Sequence, residues 1–160
     1  MLTNQPKLLA IYAHPDDEAF GTGGTLTYYA SQGVNITLVC ATRGEVGEIS
    51  DPSLATPETL GQVREQELRC AAENMGIAEL IFLDYRDSGM QGTPENEDPR
   101  AFVNAPAEEV VPKLVAAIRR VQPQVVTTFE PNGGYGHPDH IAIHNHTVTA
   151  FHAAADPNQY

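Results

Sequence analysis

The chain has 160 residues, a length that fits one domain with a sizeable core. Apolar residues make up 41% of it, yet no tract approaches the ~18 apolar residues that a membrane-spanning helix needs. Nine basic residues against 21 acidic ones leave a formal net charge of -12, which opposes binding to a phosphate backbone or an anionic lipid surface and sets nucleic acid and membrane aside as partners.

In chain order, four short apolar runs read as strands covered on both faces, at 8–13, 36–41, 80–84 and 125–129. Each precedes a helical stretch. The first covers 18–32 with Gly33 at its end, the second 57–75 with Gly76 beyond. The third covers 106–121 before Pro123, and Pro112 inside it predicts a kink or a start nearer Val111. The last spans 138–155. Cys40 falls in a strand and Cys70 on a helix. Both read as small buried apolar residues with reduced thiols, since no CxxC or Cys/His spacing is present. The N-terminal stretch has no basic head followed by a cleavable apolar segment, so a cytoplasmic protein is expected.

Regular alternation of strand and helix predicts a Rossmann-like α/β sandwich of three layers, a single domain over 1–160 with a mostly parallel sheet. In the doubly wound order 3-2-1-4 the first and fourth strands are neighbours at the switch point where ligands bind. Two long irregular stretches, 42–56 and 85–105, leave the same edge of the sheet and would rim the crevice.

Two motifs sit at that edge. "AHPDDE" at Ala13 to Glu18 follows the first strand, and "HPDH" at His137 to His140 follows the fourth. A histidine and three acids packed together repel one another unless a cation lies among them. A hydrolytic zinc site takes about three ligands from His, Asp or Glu and keeps one position for water. His14, one of Asp16 and Asp17, and His140 supply that set. The remaining aspartate is then available as a base, and His137 and Tyr135 are the donors on the facing loop.

Other histidines have plainer readings. His144 shares an apolar stripe with Ile141, Val148 and Phe151 and reads as a satisfied core histidine, while His146 and His152 read as surface or packing residues. Glu18 reads as a helix-start or supporting residue. "GTGG" at Gly21 to Gly24 lacks the GxGxxG spacing and reads as close packing of helix on sheet or of backbone against metal. Arg43 and Glu45 are a surface pair or substrate contacts. Arg64 lies on a stripe with Leu68, Ala71, Ala72 and Met75 near the start of its helix and therefore faces the crevice.

The chain resembles the LmbE-like, or PIG-L, family of zinc-dependent N-acetylglucosamine deacetylases. The resemblance rests on "AHPDDE" with "GTGGTL", "ATRGE" at Ala41 to Glu45 and the helix from Arg64 to Ile77. It continues with "YRDSGM" at Tyr85 to Met90 and "GGYGHPDH". It implies zinc, or another divalent metal such as Fe2+, held by His14, Asp17 and His140, with Asp16 as general base. It further implies His137 as general acid or electrostatic stabiliser, oriented by Asp139, and Tyr135 at the oxyanion. Arg64 and Asp87 would contact the sugar, and Met90 would line the pocket. The implied reaction removes the acetyl group from a small glucosamine-type substrate and releases acetate and a free amine. Members of the family run on well past the last motif. An apolar fourth strand left as a bare edge therefore points to further C-terminal elements or to an edge covered by another subunit, as in a homo-oligomer.

Overall fold

The computed structural model describes residues 5–160. Its four strands, β1 (Lys7–Tyr12), β2 (Asn35–Cys40), β3 (Glu79–Phe82) and β4 (Val125–Thr127), form one parallel sheet in the order β3-β2-β1-β4. The expected order and Rossmann-like layering are therefore present. β1 is central because alternate residues feed two separate cores. Leu9, Ile11 and Ala13 pack with α3 (Ala107–Val121) and α5 (Pro138–Ala154) on one face. Leu8, Ala10 and Tyr12 pack with Leu26 of α1 (Gly23–Ser31) and Leu68 of α2 (Leu60–Met75) on the other. No described helix is long and apolar enough to cross a membrane.

The differences from the sequence expectations have local causes. The helix expected over 18–32 is broken into a π-helical turn, Glu18–Thr22, and α1. α2 starts three residues late because the amide of Thr56 donates to Thr59 Oγ1 and holds a turn there. α3 begins at Ala107 and runs through Pro112. A proline this near the N-terminus removes one main-chain bond, and burial of Val110, Val111, Leu114, Val115 and Ile118 outweighs that loss. β3 stops at Phe82, just before Asp84 takes a φ of 62°.

The stripe assigned to α5 is corrected. Its buried face is His140, Ile143, Thr147, Ala150 and Ala153, whereas Val148 and Phe151 face outward. The small residues at 147, 150 and 153 let α5 approach α3 closely, which larger side chains would prevent. Cys40 is buried as expected, but Cys70 is exposed. The "GTGG" run is not a close-packing device either. A Cβ on Gly21 or Gly24 would meet nothing, and only Gly23 lies near another side chain, that of Met75.

Candidate metal centre

The two motifs meet beyond the carboxyl ends of β1 and β4, which pair over three residues from Leu8↔Val125 to Ala10↔Thr127. Asp17 folds back over the end of β1, where its Oδ2 accepts the main-chain N–H groups of Ala13 at 3.1 Å and His14 at 2.8 Å. His140 enters from the first turn of α5 with its ring stacked flat on Phe129, centroids 3.8 Å apart. Its Nδ1 lies 3.1 Å from the carbonyl oxygen of Gly133.

Gly133 has to be glycine. Its φ is 66°, and a Cβ there would lie 2.8 Å from His140 Cβ and 3.0 Å from the Ile141 nitrogen. Gly133→Ala is therefore expected to lower stability by about 1–3 kcal/mol and to move His140 off Phe129. Denaturant unfolding of the variant checks this, with an unchanged midpoint as the contrary result.

The hydrogen bonds fix where the protons are. A carbonyl cannot donate, so Nδ1 of His140 carries its proton and Nε2 presents a lone pair. Nε2 of His14 faces Asp139 Oδ2 at 3.1 Å and Asp87 Oδ1 at 3.4 Å, so the neutral ring carries its proton there and leaves Nδ1 bare. His14 Nδ1 then lies 3.1 Å from His140 Nε2, which in turn lies 3.2 Å from Asp17 Oδ1. Three lone pairs converge among buried or half-buried side chains. Donor atoms around a tetrahedral zinc, with bonds of ~2.0–2.1 Å, sit roughly 3.3 Å apart, a spacing that both contacts of His140 Nε2 match. Without a cation the repulsion is relieved by a proton. Burial alone would lower the His14 pKa, but hydrogen bonds to Asp139 and Asp87 and the charges of Asp87 and Asp17 outweigh it and push it up to about 10. Ligand-type atoms of His14, His137 and His140 all lie within 4.8 Å of one another, as do those of His14, Asp87 and Asp139. The cluster could thus hold a metal in more than one combination.

His137 is the N-cap of α5, and its Nδ1 accepts the amide N–H of Asp139 at 3.2 Å. The neutral ring therefore presents Nε2–H as a donor. Burial and the neighbouring His14 charge push its pKa down to about 4, so it is neutral at physiological pH. The expected orienting contact from Asp139 is made by its main chain. Its carboxylate turns instead to His14 and to Ser88.

Asp16 lies at the mouth with a φ of 109°, a conformation rarely held by a residue other than glycine. Its amide donates to the buried carboxylate of Glu18 at 3.0 Å, the supporting role expected of that glutamate. Burial raises the Asp16 pKa against the opposing charge of Arg64, whose Nη2 lies 3.0 Å from Asp16 Oδ2. Arg64 does face the crevice, but its guanidinium also donates to the carbonyls of Pro15 and Gly44, so most of its donors are spent within the protein. Gly44 makes room for it, since a Cβ there would lie 1.8 Å from Arg64 Nη1. Asp87 is likewise engaged by protein. It faces His14 and accepts the amide of Gly89 at 2.9 Å; burial opposes these contacts, but they hold its carboxyl well below the usual range. Arg43 and Glu45 do not pair with each other. Arg43 bonds Glu65 and Asp84, and Glu45 accepts the amide of Asp87 at 3.1 Å.

His14, Asp16, Asp17, Arg64, Asp87, Met90, Tyr135 and His137 line a cleft of about 540 Å³. Tyr135 is 71% exposed, with its ring edge-on to His140, and Met90 is half exposed at the rim. Both long irregular stretches contribute, the first through Val46 to Asp51 with Leu54 and Ala55, and the second through Asp87, Gly89 and Met90. His144 is satisfied by the Phe129 carbonyl at 2.7 Å, and His146 packs against Phe102, as the sequence suggested. Ser88, quoted within "YRDSGM" but given no role by sequence reasoning, is fully buried beside this centre. Its only sequence signal is a hydroxyl next to Asp87.

Comparison with known proteins agrees with the geometry. A deacetylase of 1D-myo-inositol 2-acetamido-2-deoxy-alpha-D-glucopyranoside from Geodermatophilus obscurus is 47% identical over 165 residues, covering 98% of this chain and 56% of that protein. Among solved structures, the N,N'-diacetylchitobiose deacetylase of Pyrococcus horikoshii matches with a TM-score of 0.78 and 29% identity, over 97% of this chain and 52% of that one. The 4-carboxy-2-hydroxymuconate hydratase GalB of Pseudomonas putida shares the fold at a TM-score of 0.76 and 24% identity, over 96% of this chain and 59% of that one. The chain spans about half the length of the curated relatives it matches. A family model described as PIG-L, GlcNAc-PI de-N-acetylase, matches residues 9–151, and the chain accordingly belongs to the PIG-L family.

Proposed function

We propose that this protein is a zinc-dependent hydrolase that removes the acetyl group from a glucosamine-type substrate, with His14, Asp17 and His140 as the metal ligands. The observation that carries this reading is the meeting of His14 Nδ1, His140 Nε2 and Asp17 Oδ1 as lone pairs at 3.1 and 3.2 Å. A cation bound there would polarise the amide carbonyl and lower the pKa of a water molecule.

The chain's own residues supply the rest. Asp16 holds Arg64 through Oδ2 and keeps Oδ1 outside that pair; it takes the proton from the attacking water and returns it to the departing nitrogen. His137, neutral with its proton on Nε2, donates to the oxygen that gains negative charge, and the Tyr135 phenol stands on the same rim. Glu48, Asp51 and Glu67 also line the cleft, with Arg64 as the one Lys or Arg among its described lining residues. Carboxylates accept from sugar hydroxyls and repel phosphates, which favours an uncharged polyhydroxy substrate such as the inositol-linked N-acetylglucosamine named for the Geodermatophilus relative.

The test is release of free amine by zinc-loaded protein from a panel: the inositol-linked sugar, N,N'-diacetylchitobiose, free N-acetylglucosamine and a simple N-acetylated amine without a sugar. Turnover is expected on the inositol-linked sugar and to be lost on treatment with a chelator. Equal rates on all four compounds, or rates unaffected by the chelator, would sink the reading.

A further inference from the structure

The carboxylate of Asp139 is completely buried, and two of the donors it meets come from one residue. Ser88 donates its amide to Oδ2 at 3.0 Å and its hydroxyl to Oδ1. Both oxygens are thereby pinned, which fixes the plane of the carboxylate. Oδ2 is then aimed at His14 Nε2, 3.1 Å away. That contact keeps the proton of neutral His14 on Nε2 and frees Nδ1 to face His140 and Asp17.

Ser88 is itself held in place. Its Oγ accepts the amide of Val103 at 2.9 Å, and its carbonyl accepts the side-chain amide of Asn96. The segment around it is also held by bonds that do not use the hydroxyl. The amide of Phe102 donates to Arg86 O at 2.8 Å, and the Asn104 side chain donates to Asn96 O at 2.7 Å. Besides accepting the Val103 amide, the hydroxyl is the donor that meets Asp139 Oδ1 among the described residues.

We propose that Ser88 is a positioning residue of the metal centre: through Asp139 it sets the ring orientation and tautomer of His14, and it couples the 85–105 segment to the affinity for the metal. Without the hydroxyl, Asp139 Oδ1 loses its donor in a site closed to water, and the carboxylate turns to find another partner. Oδ2 leaves His14 as it does so. Groups that orient a metal-binding histidine typically affect affinity or activity by about 10–100-fold.

The inference rests on the reading of His14 as a ligand, so the experiment measures both. Parent, S88A and H14A proteins are titrated with zinc against a competing chelator, and absorption spectra are recorded for the cobalt-loaded forms. S88A is expected to bind zinc on the order of tenfold more weakly, with an altered cobalt spectrum and, at saturating metal, a lower kcat with KM within about twofold. Zinc affinity within about twofold of the parent together with an unchanged cobalt spectrum overturns the proposal, whatever the change in thermal stability. If S88A does not fold, S88G, which also removes the hydroxyl, takes its place under the same criteria. Loss of metal in H14A with no change in S88A refutes the Ser88 role alone, whereas full metal retention in H14A refutes the ligand reading beneath it.

Discussion

Asp16→Asn is expected to lower kcat by about 10²–10⁴-fold while leaving one equivalent of zinc bound. Asparagine keeps the shape of the side chain and can accept a hydrogen bond from Arg64 through its amide oxygen, but it cannot take a proton from water. It also suits the backbone. The φ of 109° at this position lies in a region where Asn and Asp are tolerated better than most residues, so the exchange adds little strain. The amide of residue 16 keeps its bond to Glu18, and Asp17 retains its own two main-chain donors. Loss of rate without loss of metal would separate the two adjacent carboxylates by role. Activity within about tenfold of the parent, measured at saturating substrate with metal content determined on the same sample, would remove Asp16 as the base.

His140→Ala and His14→Ala should each cost metal affinity by more than the about 10–100-fold associated with losing a group that merely orients a ligand. For His140 the argument is geometric as well as chemical. Its ring is fixed between Phe129 and the Gly133 carbonyl, so no movement of a neighbour replaces the lone pair at Nε2. Alanine there also leaves a void beside Phe129, so His140→Gln, which fills more of the space, guards against confusing lost packing with lost ligation. After dialysis, metal analysis should find the parent near one equivalent and both histidine variants nearly empty. Unchanged metal in both would end the assignment of these nitrogens.

Much of the fold was legible because buried parallel strands leave a simple mark: short apolar runs, each followed by an amphipathic stretch with punctuation at its ends. That pattern led to the doubly wound class, and the strand order usual for that class brought His14 and His140 together although they lie 126 positions apart. The limits of the helices were less legible. Pro112 suggested a break that burial of the surrounding valines and leucine overrides, and α5 turned inward a face whose alanines and threonine carry only a weak hydrophobic signal. Cys70 reads as apolar by composition but sits on the solvent side of α2, a choice made by packing of the whole helix.

For the site, the sequence by itself determined the chemical inventory: two histidines and adjacent aspartates at the ends of neighbouring strands, with a third histidine and a tyrosine opposite. Only the tertiary structure decided which atoms face each other. It put His14 Nε2 and His140 Nδ1 against oxygen acceptors, directed the Asp139 carboxylate to His14 instead of His137, committed much of Arg64 and Asp87 to the protein, and brought Ser88 against a residue 51 positions away. The reason is physical. A residue type fixes what a group can donate or accept, whereas a hydrogen bond depends on distance and direction to within a few tenths of an ångström, and those are set only when the segments 85–105 and 133–140 pack against the end of β1.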